Sequence, residues 1–294
     1  QEIPSFYPRR DLSEPNMQVK SLYRLIAKGW GRHLIETLAK DPVPLVTTFF
    51  ATAFFADAFD YPGEIYCVTT DADISRAWCA LDPKKSRIKY FASNGRVVER
   101  LKLYGVPAEN IFLTGFPMPK ELIGGPQSKI LKDLIAARLC NLDPEGIFHE
   151  RYAKTLKSEL GPLRCKRGDS SHPLTLTYSV GGAGAQRQLG VQVLESLKRK
   201  ISTHEIRFNL IAGTRKDVAK FYTEAAVKLG LKKELGTWLN IPTFDSRMGY
   251  FEQFSDILAT TDILWTKPSE LSFYTGLGIA VVMAPPIGSQ EEFN

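Results

Sequence analysis

Short apolar runs alternate along this chain with longer segments whose apolar residues return every three or four positions. In the first half the short runs are PLVTTFF (44–50), EIYCVTT (64–70), IKYFAS (88–93) and IFLTG (111–115). In the second half they are LTLTYSV (174–180), RFNLIAG (207–213), TWLNI (237–241), DILW (262–265) and AVVMAP (280–285). Runs of this length predict buried strands, and the segments between them predict helices. Val97, Leu101 and Tyr104 share one helical face, which Gly105 ends. Leu189, Val193 and Leu197 form a second stripe, and Val218, Phe221, Ala225 and Leu229 a third. Met248, Phe251, Phe254 and Leu258 form a fourth, expected in the core. Strands that alternate with helices imply parallel sheets wound by right-handed crossovers.

The alternation stops between about residues 120 and 172, where Pro, Gly and charge rise and SKILKDLIAARL is an amphipathic helix. Stretches with Gly-Gly-Pro (124–126) and GDSSHP (168–173) read as loops. The expected organisation is therefore a doubly wound α/β domain over 1–120, a helical linker over 121–172 and a second α/β domain over 173–294. A chain of 294 residues is long enough for two cores. No short-period repeat points to a solenoid.

Hydrophobic and charged contents of 44% and 24% are those of a soluble globular protein. The four cysteines, Cys67, Cys79, Cys140 and Cys165, show no C-x-x-C spacing. That argues against a zinc site or a disulfide framework and suits a reducing compartment such as the cytoplasm. The longest apolar stretch, LVTTFFATAFFADAF (45–59), falls short of the roughly 20 residues of a membrane-spanning helix. Its FFATAFF segment fits a core helix, or a lip that dips into a membrane. Net charge is +6, and residues 187–233 concentrate it, with eleven Lys/Arg against four Asp/Glu. Such a face attracts phosphates, anionic lipid or nucleic acid, or is simply solvated. Without interleaved aromatic residues, nucleic acid is not the expected partner.

Candidate chemistry begins at LTLTYSVGGAGAQRQLG (174–190), a strand that runs through glycines into a helix. Backbone N–H groups in such a turn approach a phosphate closely, and the helix N-terminus adds partial positive charge. A dinucleotide fingerprint is excluded: Arg187 stands where the third glycine belongs, and RFNLIAG ends in Gly213-Thr214 with no ribose carboxylate. A P-loop is excluded too, because no Gly-Lys-Ser/Thr closes the turn. A phosphate-holding loop and a bare tight turn both remain. In doubly wound sheets, ligands bind at the carboxyl ends of the strands. That rule nominates Thr69–Asp71, Gly115–Pro117, Gly181–Gln186, Gly213–Arg215, Thr243-Phe244, Thr266–Ser269 and Pro285–Gln290.

Several of these stretches together resemble one family. TKPSELSFYTGLGIAVVMAPPIGSQEEFN (266–294) looks like the C-terminal half of glycosyltransferases of the GT-B type, built from two Rossmann-like domains facing a cleft. The most similar are enzymes that make monogalactosyl- and diglucosyl-diacylglycerol, and the N-acetylglucosaminyltransferase that completes the lipid-linked peptidoglycan precursor. GVPAENIFLTGFPMP (105–119) is similar to the end of their N-terminal domain, VTTDADISRAW (68–78) to their acceptor-side loop, and YSVGGAGAQ to their nucleotide-domain glycine loop. The resemblance covers residues 44–294. It departs from the family at Ser75, where the lipid-directed enzymes have histidine, and at Ser269-Glu270, which replace a glycine pair. It also implies that a first strand and glycine loop precede Gln1 and that a returning helix follows Asn294.

The resemblance implies transfer from a nucleotide-diphosphate sugar, a UDP-sugar in the family's manner, to a lipid or membrane-associated acceptor, inverting and without metal or cofactor. Asp71 is then the candidate base, with Asp73, Ser75 and Trp78 on the acceptor side. Gly181, Gly182, Gly184, Gln186, Thr214, Arg215, Lys267, Ser269 and Ser272 would meet the diphosphate. Glu270 would hold the ribose, with Phe273 the position that a count from the C-terminal side selects. Phe244 and Met248 would border the base, and Ser289, Gln290 and Glu291 would meet the sugar. None of His33, His149, His172 and His204 falls in a nominated loop. Two other functions share this architecture: a nucleotide-sugar-binding protein without catalysis, and a nucleotide-sugar epimerase.

Overall fold

The computed structural model describes residues 13–161, 170–179, 186–267 and 271–284. The chain divides into two compact units, the first centred on Gln1–Pro117 and the second on Met118–Pro268 and Phe273–Ile287.

The first unit runs α1 (Met17–Ala27), α2 (Arg32–Leu38), β1 (Leu45–Thr47), α3 (Phe50–Ala58), β2 (Ile65–Val68), β3 (Lys89–Ala92), α4 (Gly95–Leu103) and β4 (Ile111–Leu113). Its strands form one parallel sheet in the order β1-β2-β3-β4. The PLVTTFF run is strand only as far as Thr47. There the Thr47 Oγ1 accepts from the Phe49 N–H at 3.1 Å, turning the chain, and Phe50 opens a helix. Phe54 is fully buried and Phe50 and Phe55 nearly so, which makes FFATAFF a core helix and not a membrane lip. The other face of this sheet carries a ladder of rings, Tyr66–Phe91–Phe112, with Phe112 41% exposed.

The second unit runs α5 (Lys120–Ile123), α6 (Lys129–Leu142), α7 (Ile147–Arg151), α8 (Ala153–Leu160), β5 (Thr175–Ser179), α9 (Arg187–Ser202), β6 (Arg207–Leu210), α10 (Lys216–Lys228), β7 (Leu239–Asn240), α11 (Arg247–Ala259), β8 (Ile263–Thr266), α12 (Leu271–Gly276) and β9 (Ala280–Met283). Its parallel sheet has the order β7-β6-β5-β8-β9. Alternation along β8 sends Ile263 and Trp265 into one core and Leu264 into another, so both faces are covered, as a parallel sheet requires. Arg138 of α6 is buried and donates to three carbonyls, those of Leu258 (2.7 Å), Thr261 (2.8 Å) and Leu277 (2.5 Å). These carbonyls stand at or just beyond the ends of α11 and α12, so one guanidinium ties the two helix ends together.

Two helical stripes differ from the expectation. On α10 the buried line is Val218–Tyr222–Ala226, and Phe221, Ala225 and Leu229 lie on its flank. On α11, Met248 and Phe251 are 68% and 66% exposed. The packed line there is Tyr250–Phe254–Leu258, with the first two rings stacked at 4.9 Å. Both cases put an exact four-residue spacing in the core where the sequence offered a competing line one or two positions away. Among the cysteines, Cys67 and Cys79 are buried free thiols, whereas Cys140 is disulfide-bonded, although the cysteine spacing argues against a disulfide framework. Among the described residues no helix is long and apolar enough to cross a membrane.

Candidate functional site

In the first unit the loop after β2 is fastened to the strand and helix beside it. Thr69 donates from both N–H and Oγ1 to the Phe91 carbonyl at 3.0 Å, and its Oγ1 accepts from the Ser93 N–H at 3.2 Å. Ser93 Oγ donates to the Asp71 carbonyl and Asn94 Nδ2 to the Ala72 carbonyl, each at 2.9 Å. Asn94 also caps α4 by accepting from the Val97 N–H at 3.0 Å. Ser93 and Asn94 were not among the sequence candidates. Their signal was Ser-Asn-Gly at the end of a strand and the start of a helical stripe.

The acceptor-side candidates divide by what they touch. Asp73 accepts from Arg96 Nε at 2.7 Å, from Arg100 Nε and Nη2 at 3.1 Å each, and from the Ile74 N–H at 2.9 Å. Burial alone would raise its pKa, but these donors outweigh it and hold the carboxyl below its ordinary value. Ser75 caps a short turn by accepting from the Ala77 N–H at 3.3 Å. Trp78 is a core residue edge-on to Phe50 at 5.5 Å. Asp71 is half-buried, at the carboxyl end of β2 on the braced loop.

In the second unit β5 is central. The chain leaves it toward β6 and β7 on one side and returns as β8 and β9 on the other. The carboxyl ends of β5 and β8 therefore mark the point where the strand order reverses, where open α/β sheets bind ligands. Ser179 and Thr266 are in register there, and Thr266 Oγ1 donates to the Ser179 carbonyl at 2.8 Å. Gly181, Gly182, Gly184, Ser269, Glu270, Ser289, Gln290 and Glu291 lie outside the described residues. Lys267 directly follows β8, Ser272 lies in the first turn of α12, and Phe273 packs against the α11–α12 core.

Gln186 is the left-handed residue that opens α9, with φ of 61°, and its carbonyl accepts from the Tyr178 hydroxyl at 3.0 Å. One turn on, a Cβ at Gly190 would stand 2.9 Å from the Tyr222 hydroxyl oxygen and 3.1 Å from Tyr178 Cε1. Close helix-on-strand packing is the job of the third glycine in dinucleotide folds. Here Gly190 does it, three residues beyond Arg187, where that motif would put it. Burial pushes both tyrosines up, Tyr222 to about 12.

Thr214 is exposed at the end of the β6 stretch. Arg215 closes its guanidinium on Asp217, with Nε at 3.0 Å from one carboxylate oxygen and Nη2 at 2.8 Å from the other. Gly213 bridges to Thr243, and its carbonyl accepts from the Phe244 N–H at 2.9 Å. The Phe244 side chain is buried, edge-on to Tyr250 at 5.1 Å, while Met248 is open to solvent. The histidines lie elsewhere. His33 is exposed on α2, His149 pairs with Asp143, and His172 and His204 precede β5 and β6, at the amino ends of those strands. Among the described residues no group of three or more His, Cys, Asp and Glu side chains is placed to hold a metal.

No family model matches the chain, and no curated protein matches it. Solved structures similar to it include a glycosyltransferase from Rickettsia africae ESF-5, with 14% identity and a TM-score of 0.41 over 98% of this chain and 67% of that one. A second is HepE of Anabaena in complex with UDP and glucose, with 12% identity and a TM-score of 0.43 over 88% and 63%. A third is S. aureus MnaA with UDP, with 12% identity and a TM-score of 0.47 over 95% and 64%. The chain spans less than two thirds of the length of the second and third.

Proposed function

We propose that the chain is a GT-B glycosyltransferase that moves a sugar from a UDP-sugar to a hydroxyl of a lipid or membrane-associated acceptor, with inversion and without a metal. The observation that carries this reading is the contact of Ser179 with Thr266. It supports a single anion-binding corner, made by the glycine-rich stretch after β5 and the Lys-Pro-Ser-Glu stretch after β8, at the reversal of the sheet. The family resemblance of those same stretches selects a nucleotide-sugar diphosphate as the anion.

In the reaction so assigned, the acceptor oxygen bonds to the anomeric carbon as the bond from that carbon to the diphosphate oxygen breaks. The electron pair leaves with UDP. Backbone N–H groups at the start of α9 and the Lys267 ammonium stabilise that charge, and Asp71 takes the acceptor proton. Asp71 is preferred to Asp73 because two arginines already hold Asp73. Ser93 and Asn94 are positioning residues for Asp71, acting through the loop backbone.

Incubation of the chain with a panel of nucleotide sugars, with and without diacylglycerol, tests the reading by following donor binding, UDP release and donor isomerisation. Acceptor-dependent UDP release is expected. Binding alone would make the chain a nucleotide-sugar-binding protein, and isomerisation without acceptor would make it an epimerase.

A further inference from the structure

At the opposite end of the second sheet from the Ser179 and Thr266 contact, three side chains stand in line. Asp262 immediately precedes β8 and is fully buried. Its Oδ2 accepts from the Thr175 N–H at 2.8 Å and from Asn141 Nδ2 at 3.0 Å, and its Oδ1 faces His172 Nε2 at 3.1 Å. On the other side of the ring, His172 Nδ1 lies 3.3 Å from Ser171 Oγ. His172 is 9% exposed, whereas Ser171 is open to solvent. The end of the GDSSHP stretch thus brings an accessible hydroxyl to a histidine backed by a buried carboxylate.

The loop that carries the serine is fastened on both sides. Asn141 Nδ2 donates to the His172 carbonyl at 3.1 Å, and Ser170 Oγ donates to the Ala137 carbonyl at 3.4 Å, so α6 holds the residues before and after the turn at Ser171. Donor and acceptor chemistry then assigns the roles. A carboxylate only accepts, so in the neutral imidazole the proton sits on Nε2, and Nδ1 keeps a lone pair toward the Ser171 hydroxyl. A nucleophile in reach of a base, with the base oriented by a third group, is the arrangement that activates a serine.

We propose that Ser171 is a covalent modification site, an activated serine that takes an acyl group from an ester with a good leaving group. Ser171 Oγ bonds to the carbonyl carbon as His172 Nδ1 takes the hydroxyl proton. The bond from that carbon to the leaving oxygen then breaks, and the oxygen departs with the electron pair and receives the proton. Asp262 is a positioning residue: it holds the tautomer and steadies the imidazolium between the two proton transfers. The site lies at the amino ends of β5 and β8, away from the strand ends assigned to the sugar donor, and does not rest on sugar transfer.

The test is incubation of the full chain with a biotinylated fluorophosphonate and, separately, with p-nitrophenyl acetate. In the first, a bond forms from Ser171 Oγ to phosphorus and fluoride leaves with its electron pair; in the second, acetyl-Ser171 and p-nitrophenol form. Mass spectrometry of peptides locates the adducts, which we expect on Ser171 and lost in Ser171→Ala. His172→Gln is expected to react at least ~100-fold more slowly. Asp262→Asn presents an N–H to Nε2, moves the ring proton to Nδ1 and silences the serine, which the loss of a purely structural carboxylate would not do. Thermal unfolding shows whether these two buried variants are folded, and wild type against Ser171→Ala decides if they are not. No adduct on Ser171, equal labelling of the heat-unfolded chain, or wild-type rates in folded His172→Gln or Asp262→Asn would overturn the proposal. UDP binding by Ser171→Ala reports separately on the donor site.

Discussion

Gly190 of α9 faces the hydroxyl of Tyr222 so closely that a Cβ there would stand 2.9 Å from the oxygen. Tyr178 closes the other side at 3.1 Å and ties the same helix by donating to the Gln186 carbonyl. The start of α9, next to the glycine-rich stretch, is therefore positioned by two buried tyrosines and one missing side chain.

Gly190→Ala is expected to lower stability by about 1–3 kcal/mol, the usual cost of overpacking. Thermal unfolding measures it. Because the hydroxyl is the nearest atom, Tyr222→Phe should recover part of the loss in the double variant, and strict additivity would show that the two do not meet.

Asp73→Asn should cost about 1–3 kcal/mol, since it leaves Arg100 and Arg96 without their common carboxylate. The sign of the pH dependence follows from the lowered pKa of Asp73 in the folded state. Its stabilisation is complete above the ordinary carboxylate value and is lost as pH falls through the folded value. Melting curves of wild type and variant should therefore converge in acid and stand apart at neutral pH.

Asp71→Asn should reduce transfer by ~100-fold or more, the usual contribution of a positioned base, and leave UDP-sugar binding unchanged. Undiminished transfer removes Asp71 as the base. Ser93→Ala, which frees the loop backbone without touching the carboxylate, should lower kcat by less and shift its pH profile.

Arg138→Met should destabilise the second unit by about 3 kcal/mol, because three carbonyls lose a charged donor at once. Lysine at this position reaches fewer of them and should restore only part of the loss. Chemical denaturation resolves the series; a variant as stable as wild type would mean that water replaces the guanidinium.

Much of the architecture was legible before any coordinates. Each of the nine apolar runs contains a strand, and Val97, Leu101 and Tyr104 are all buried on α4 as their spacing predicts. Strand ends were less legible. PLVTTFF turns helical at Phe50 because a threonine hydroxyl caps the turn, and apolarity alone does not distinguish a strand from a buried helix. The stripes of α10 and α11 were misplaced for a related reason. Phe221 and Phe251 are as hydrophobic as their inner neighbours, and only the position of the sheet selects Tyr222 and Tyr250.

By itself the sequence determined that two parallel sheets form, since short apolar runs separated by amphipathic helices have few other ways to bury both faces. It also determined which loops follow the strands. Only the tertiary structure decided which strands are neighbours, and with that the meeting of Ser179 and Thr266 at the reversal of the second sheet. It likewise decided that Arg96 and Arg100 pair with Asp73, that Trp78 packs in the core and that Asp71 is half-buried on the loop after β2. Hydrogen bonds and ion pairs between residues tens of positions apart leave no periodicity along the chain, so no local pattern could have assigned them.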